Sequence, residues 1–232
     1  VADVHRLLRA SRLFQGLSDD LLLRLERDTQ LRRFVGGEAL WTAGDRAESF
    51  NIVATGLVQI LQRLPSGDAA LLGVFGPHEC IGIAASLEAS NYPADCQALT
   101  EEVQVLRIHA APMLEITRTD VTVANALNSA LLEHTKALRA KINIMSAGTV
   151  SERLLMLFDH LADRFGDERE DSSTVIPVVL SRTALAWLVG ARVETVIRAM
   201  TRWQREGWIE TNREGFIIYA RPTTNLASPE LD

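Results

Sequence analysis

The chain has 232 residues, 47% of them hydrophobic, and a formal net charge of −6. That length suits one large or two ordinary domains with real cores, and no run of eighteen or more apolar residues offers a membrane span. The acidic total at first sight opposes nucleic-acid binding, and two cysteines, Cys80 and Cys96, stand at no metal-ligand spacing, which argues against a structural zinc or a four-cysteine cluster.

No signal-peptide pattern opens the sequence at Val1, so a cytoplasmic location is expected, in keeping with the sparing use of cysteine. Over residues 4–25, leucines and Phe14 recur at helical spacing, and Leu17-Ser18-Asp19-Asp20 reads as a helix start. Turn signals then fall about every ten residues: Gly36-Gly37, Gly44-Asp45, Thr55-Gly56, Pro65-Ser66-Gly67-Asp68 and Gly76-Pro77. Between them lie strand-like runs at 49–53, 57–61 and 70–75, and a further run at 103–108 alternates apolar with polar. Many short strands with regular turns predict a sandwich, barrel or roll.

From residue 113 to 147 the pattern becomes helical. Leu127, Leu131, His134, Leu138, Ile142 and Met145 recur at steps of three and four, a narrow seam like that of a two-stranded coiled coil. The expectation is one long helix pairing with its twin in a homodimer; a helix lying on its own domain is the alternative. Gly148-Thr149-Val150-Ser151-Glu152 breaks that helix and starts another, with Ser151 as the expected cap. Leu154, Leu155, Leu157, Phe158, Leu161 and Phe165 give the new helix its core side. Residues 166–174 read as a polar loop and 175–179 as a short strand.

Next comes the most informative stretch, residues 180–200. Ser181 suits a helix N-cap, and Leu185 and Val189 make an apolar side. Ala186 is small where a second helix must cross closely. Gly190, four residues on, suits a backbone that turns with positive φ, and Val196 follows six later, facing inward while Thr195 faces out. This is the spacing of a helix-turn-helix; an ordinary packed helix pair is the rival reading. A predicted hairpin follows, with strands at 207–211 and 216–219 about a turn at Asn212-Arg213-Glu214-Gly215, which makes the unit a winged helix. Trp187, Trp203 and Trp208 are assigned to its core and Trp41 to the stranded region; the tail from Arg221 reads as loose.

Charge is distributed to match. Seven arginines (182, 192, 198, 202, 205, 213, 221) against four glutamates (194, 206, 210, 214) give 181–221 a charge of +3 inside an acidic protein. Only Lys136 and Lys141 are lysines, so arginine would hold phosphates. The modest excess predicts weak non-specific binding and a steep loss of affinity with salt.

This order of segments resembles the CRP/FNR family of bacterial transcription regulators over nearly the whole chain. The resemblance is most specific at 180–219, with Gly190-Ala191-Arg192-Val193-Glu194-Thr195-Val196-Ile197-Arg198 as the recognition segment; Gly44-Asp45, Gly56 and Gly82 match turns of the family's roll. It implies an α+β chain: an N-terminal helix and β-roll, cyclic-nucleotide-binding-like, over 1–110; a long dimerisation helix over 111–147; and a winged helix-turn-helix over 148–232. It also implies duplex DNA, a second copy and RNA polymerase as partners, with no membrane.

By that resemblance Glu194 and Arg198 read bases. A carboxylate accepts from the cytosine amino group and a guanidinium donates twice to guanine, and four-residue spacing sets both on one helical face. An intrahelical salt bridge is the alternative use of the pair. Val193 and Ile197 complete the base-facing set; Val193 is shared with FNR-like members and implies a TTGA-like half-site, whereas Ile197 departs from FNR itself. Ser181, Arg182, Arg192 and Thr195 match phosphate-contact positions, which fix register rather than sequence.

For the effector, Ile83 stands where cAMP-binding members carry a glutamate, and Tyr92 where they carry an arginine. Isoleucine cannot bond a ribose hydroxyl and tyrosine cannot neutralise a phosphate, so cAMP is not expected. An apolar pocket lined by Ile81, Gly82, Ile83, Ala84, Tyr92, Pro93 and Ala94 is expected instead. Two cysteines cannot rebuild the four-cysteine iron–sulfur cluster of FNR. The run Asn91-Tyr92-Pro93-Ala94 with Gln97-Ala98 is similar to denitrification regulators, which implies nitric oxide or another redox signal read through haem, with His134 as its axial ligand or, alternatively, as a packing residue. An organic effector is the rival within the class, and a sensing module whose winged helix binds protein is the rival outside it. No G-x-S-x-G, phosphate loop or H-E-x-x-H points to an enzyme.

Overall fold

The computed structural model describes residues 2–63 and 69–219; the expected turn at Pro65-Ser66-Gly67-Asp68 and the tail from Arg221 lie outside them. Contacts divide the chain into two compact units, 1–146 and 147–232.

The first unit opens with α1 (Ala2–Ala10) and α2 (Asp19–Glu26). Ser18 caps α2 by accepting from the Leu21 N–H at 3.4 Å, and Asp19 and Asp20 sit on its positive end. The strands β1 (Thr29–Val35), β2 (Ala39–Trp41), β3 (Ser49–Thr55), β4 (Val58–Arg63), β5 (Ala69–Phe75) and β6 (Cys80–Ile81) follow, then α3 (Ile83–Leu87), β7 (Asp95–Ala98) and β8 (Glu102–His109). They form two four-stranded sheets in the orders β1-β8-β3-β6 and β2-β7-β4-β5, all pairs antiparallel.

Strand alternation splits the apolar side chains of the first sheet between two cores. Val53 of β3 and Val103 and Val105 of β8 pack with Trp41, Val58, Ile81, Tyr92, Cys96 and Ala98 in one of them. Phe50, Ile52, Leu106 and Ile108 point the other way, against α1, α2 and the helices after β8.

The expected single helix over 113–147 is two helices, α4 (Ala110–Thr117) and α5 (Val121–Ser146). Asp120 separates them. Its carboxylate accepts from the Thr122 N–H at 2.8 Å, so this side chain serves the free N–H groups of α5 as a helix start does. Along the 26 residues of α5 two faces run side by side. Val123, Leu127, Ala130 and Ile144 are buried, with His134, Ala137 and Lys141 half-buried in the same 4-3 rhythm; Val123, Leu127 and Ala130 join the second core, and Lys141 Nζ donates to the Leu71 carbonyl of β5 at 3.1 Å. The adjacent face carries Leu131, Leu138, Ile142 and Met145, of which the last three are exposed. The predicted seam therefore mixes two faces: Leu127 is in the chain's own core, Leu131 packs partly against it, and His134 is half-buried on the same side as Leu127. A step of three or four residues fits both stripes, because they are offset by about a quarter turn.

The second unit comprises α6 (Val150–Phe165), β9 (Asp167–Glu168), β10 (Thr174–Ile176), α7 (Arg182–Val189), α8 (Val193–Arg205), β11 (Ile209–Thr211) and β12 (Phe216–Ile218). The cap of α6 is Thr149, not Ser151. The Thr149 side chain accepts from the Glu152 N–H while Glu152 accepts from the Thr149 N–H, a reciprocal box. Ser151 is buried inside the helix, where its hydroxyl accepts from Arg202 at 3.2 Å. The expected loop at 166–174 contains β9, which pairs with β10, and β10 ends at Ile176 rather than 179. The sheet order is β11-β12-β10-β9. Phe158 meets Phe216 and Trp203 edge-on, at 5.0 and 6.4 Å between ring centroids. Trp203 is buried and Trp208 partly so, but Trp187 is 36% exposed and is not a core residue. Its neighbours Ala184, Leu185, Ala186, Leu188 and Val189 already supply the packed side of α7.

Candidate nucleic-acid interface

The helix pair α7–α8 is fixed by local chemistry. Ser181 Oγ accepts from the Ala184 N–H at 3.0 Å and starts α7. Gly190 ends it at φ 61°, ψ 48°, a left-handed conformation that a side chain disfavours. Leu185, Ala186, Val189, Val196 and Met200 are each fully buried. Thr195 lies half out, as expected beside an inward Val196.

The outer face of α8 then carries Arg192, Glu194, Ile197 and Arg198, with Glu194, Ile197 and Arg198 lying where solvent reaches them and Val193 and Thr195 beside them. Glu194 and Arg198 make no ion pair with one another among the described residues; Arg198 instead donates to Thr195 Oγ1 at 3.4 Å. Both charged groups are thus available to an external partner. Arg182 donates to Thr211 Oγ1 at 3.2 Å, which ties the start of α7 to the wing strand β11, and partial burial lowers its pKa. Ser181 is exposed while serving as a cap. Ile197, Arg198, Thr201, Arg202, Arg205 and Glu206 line an open depression on α8 that sequence reasoning did not foresee; the three arginines follow from their i, i+4 and i, i+3 spacing on the exposed side.

The expected effector pocket is not assembled as foreseen. Ile83 is fully buried in the core shared with α1, α2 and α5, whereas Ile81 and Tyr92 belong to the other core. Tyr92 lies on Trp41 with centroids 4.3 Å apart and planes 16° from parallel, and its hydroxyl donates to the Ser49 carbonyl. Burial raises its pKa. Gly82 caps α3 at φ 75°, and a Cβ there would stand 2.9 Å from Tyr92 Cε1. Ala94 is buried and its carbonyl takes the Trp41 indole N–H at 2.9 Å; Ala84 is half-buried and Pro93 exposed. A haem laid among these side chains would have to part both cores, so the residues do not fit that group. His134 is half-buried on the face of α5 that carries the buried Leu127 and the half-buried Lys141. Burial pushes both cysteine thiols up, so neither carries thiolate at neutral pH.

Alternation also places Arg107 of β8, opposite Asn51 of β3, on the same sheet face as Val103 and Val105. Asn51 is 5% exposed, and the Arg107 guanidinium makes no hydrogen bond or ion pair among the described residues. A lone arginine in a strand carries no signal of this in the sequence; only the register reveals it.

Comparison with known proteins agrees with this architecture. Residues 31–120 match the cyclic nucleotide-binding domain model and residues 150–223 the Crp-like helix-turn-helix domain model. The chain is 26% identical over 221 residues to the CRP-like cAMP-activated global transcriptional regulator of Mycobacterium tuberculosis, covering 93% of this chain and 95% of that protein. It is 25% identical over 197 residues to the transcriptional activator protein anr of Pseudomonas aeruginosa, covering 84% and 80%. In fold it is similar to FixK2 from Bradyrhizobium japonicum, with a TM-score of 0.70 at 18% identity over 83% of this chain and 93% of that one. It is likewise similar to a CRP-family transcriptional regulator from Thermus thermophilus, with a TM-score of 0.66 at 21% identity over 81% and 90%. The exposed recognition helix, the wing and the roll are the parts these matches span, and the chain belongs to the CRP/FNR family of transcription regulators, with a DNA-binding helix-turn-helix.

Proposed function

We propose that the protein acts as a homodimer on a palindrome of TTGA-type half-sites and that its recognition helices enter successive major grooves about 34 Å apart. Glu194 and Arg198 read a C·G pair, with Val193 and Ile197 beside them. Arg182, Arg192, Thr195 and Ser181 hold flanking phosphates. The observation that carries this reading is the pair Glu194 and Arg198, one turn apart on the outer face and not spent on each other. The dimer would form through Leu138, Ile142 and Met145, the stripe of α5 that its own domain leaves uncovered, with Leu131 at its edge, half-buried against the second core. RNA polymerase is the further partner that the family implies.

Regulation would pass through α5, since Lys141 ties it to β5 of the roll. An effector can shift the dimer only by its differential affinity for two arrangements. Neither cAMP nor haem is the effector we propose: the first lacks its glutamate and arginine, and the side chains expected to surround the second are divided between two packed cores.

The test is fluorescence anisotropy with a TTGA palindrome. Arg198→Ala should lose about five- to a hundredfold per half-site against the cognate guanine, corresponding to ~1–3 kcal/mol of base discrimination, and should lose preference at that position. Unchanged affinity and preference would refute the assignment.

A further inference from the structure

We propose that Ile197 is a specificity residue that reads the 5-methyl group of a thymine beside the base pair taken by Glu194 and Arg198; this rests on the reading that α8 enters the major groove.

Ile197 is 46% exposed, although it sits on a helix whose core side is already complete in Val196, Ala199, Met200 and Trp203. It has no packing task in its own domain that a polar residue would fail. Its surroundings on the depression are polar and basic: Arg198, Arg205, Thr201 and Glu206 line it with Arg202, whose guanidinium also donates to Ser151. The depression thus offers one apolar wall among positive charges. An anionic surface with an apolar projection at the depth of the helix complements it. A DNA major groove supplies both, because thymine alone among the four bases presents a methyl group there.

Position narrows the choice further. Glu194 and Val193 lie three and four residues before Ile197, and Arg198 follows directly. Neighbours at that helical spacing are about 5–6 Å apart at Cβ, and successive bases rise about 3.4 Å per strand. The methyl read by Ile197 therefore belongs to a thymine within about two steps of the C·G pair. Val193 and Ile197 make an apolar i, i+4 row parallel to the polar row of Glu194 and Arg198. The polar row selects the C·G pair and the apolar row selects what stands next to it.

The experiment uses the full chain and a palindromic duplex in which each thymine of the half-site is replaced, one position at a time in both halves, by deoxyuracil, which lacks only the methyl. Burying one methyl or methylene corresponds to about a fourfold change in affinity. We expect one position at which uracil weakens the wild-type protein about fourfold per half-site, and at which Ile197→Ser binds thymine and uracil alike, at the weakened level. Ile197 is exposed, so Ile197→Ser should unfold at the wild-type temperature, which circular dichroism verifies. If uracil is harmless at every position while Arg198→Ala still loses its guanine preference, the methyl proposal fails and the groove reading stands. If Ile197→Ser keeps the uracil penalty, another side chain reads the methyl and the proposal fails likewise. If no duplex is bound in preference to any other, or the face captures an acidic protein instead, both fall together.

Discussion

Trp41 and Tyr92 stack in the core between the two sheets of the roll, with ring centroids 4.3 Å apart, and Gly82 leaves them the space. The pair has a packing role at the place where the resemblance would seat an effector. Tyr92→Phe should keep the stack but strip the Ser49 carbonyl of its donor, at a cost of about 1–3 kcal/mol. Tyr92→Ala should cost ~3–5 kcal/mol, as large aromatic truncations in cores do. Urea unfolding followed through tryptophan fluorescence measures both. Equal midpoints for wild type and Tyr92→Ala would show the stack to be idle. In the same assay, millimolar cAMP should leave the wild-type midpoint where it is.

Ser181 caps α7, and in the proposed complex it also touches a phosphate. Two substitutions separate the two roles. Ser181→Ala removes the cap bond to the Ala184 N–H and should destabilise the second unit by about 1 kcal/mol. Ser181→Asp keeps an accepting oxygen at the cap and suits the helix dipole, yet it brings a negative charge to the phosphate. Its thermal midpoint should stay at or above wild type while DNA affinity falls at every sequence tested. An aspartate variant that binds as tightly as wild type would leave Ser181 a cap and nothing more.

Much of this is legible in the sequence where a local rule acts alone. Ser18, Ser181 and Gly190 announce helix ends because capping and left-handed turns depend on a few adjacent residues. Glu194 and Arg198 are legible because spacing on a single helix fixes which face they share. The differences arise where the partner lies far away in sequence. Periodicity alone makes one seam of the two stripes on α5, since it says that a face is apolar and not which neighbour covers it. The sequence puts Ile83 in a pocket with Tyr92, since nothing in the string says that the chain crosses from one core to the other at Gly82. Ser151 competes with Thr149 as a cap on residue type, and Glu152, three residues after Thr149, is the signal that decides for the reciprocal box.

Lys141 gives the fold a dependence on pH that can be isolated. Burial lowers its pKa to about 8, against an ordinary value of 10.5. Below pH 8 the amine is charged in both folded and unfolded chains, and the folded state bears the whole desolvation penalty. As pH rises through about 8 the folded protein sheds the proton, while the unfolded chain holds it to 10.5. The unfolded state then binds more protons, so this group makes stability rise with pH between those limits. The buried thiols of Cys80 and Cys96 and the Tyr92 phenol, with raised folded values, oppose it at the alkaline end. The difference between wild type and Lys141→Met cancels them. Lys141→Met should lead at about pH 7 and lose part of that lead by about pH 10; a lead that does not change with pH would mean that Lys141 is solvated in the folded protein.

The two faces of α5 should separate folding from pairing. Leu127 is 5% exposed in its own core, and Leu127→Ala should cost ~2–5 kcal/mol of stability, whatever the oligomeric state. Leu138 and Ile142 are 52% and 61% exposed on the other stripe. Leu138→Glu with Ile142→Glu buries nothing new within one chain, so the chain should fold with an unchanged thermal midpoint at low concentration. Across a two-stranded seam the same pair of changes sets four carboxylates against one another in a desolvated strip, where like charges are costly. Sedimentation velocity should then find the wild type as a dimer and the double variant as a monomer. A monomeric head has one half-site to hold, so affinity for the palindrome should fall to the level of a single half-site. Should the double variant still sediment as a dimer and bind both half-sites together, the exposed stripe of α5 is not the seam, and the pairing surface must be sought elsewhere on the roll.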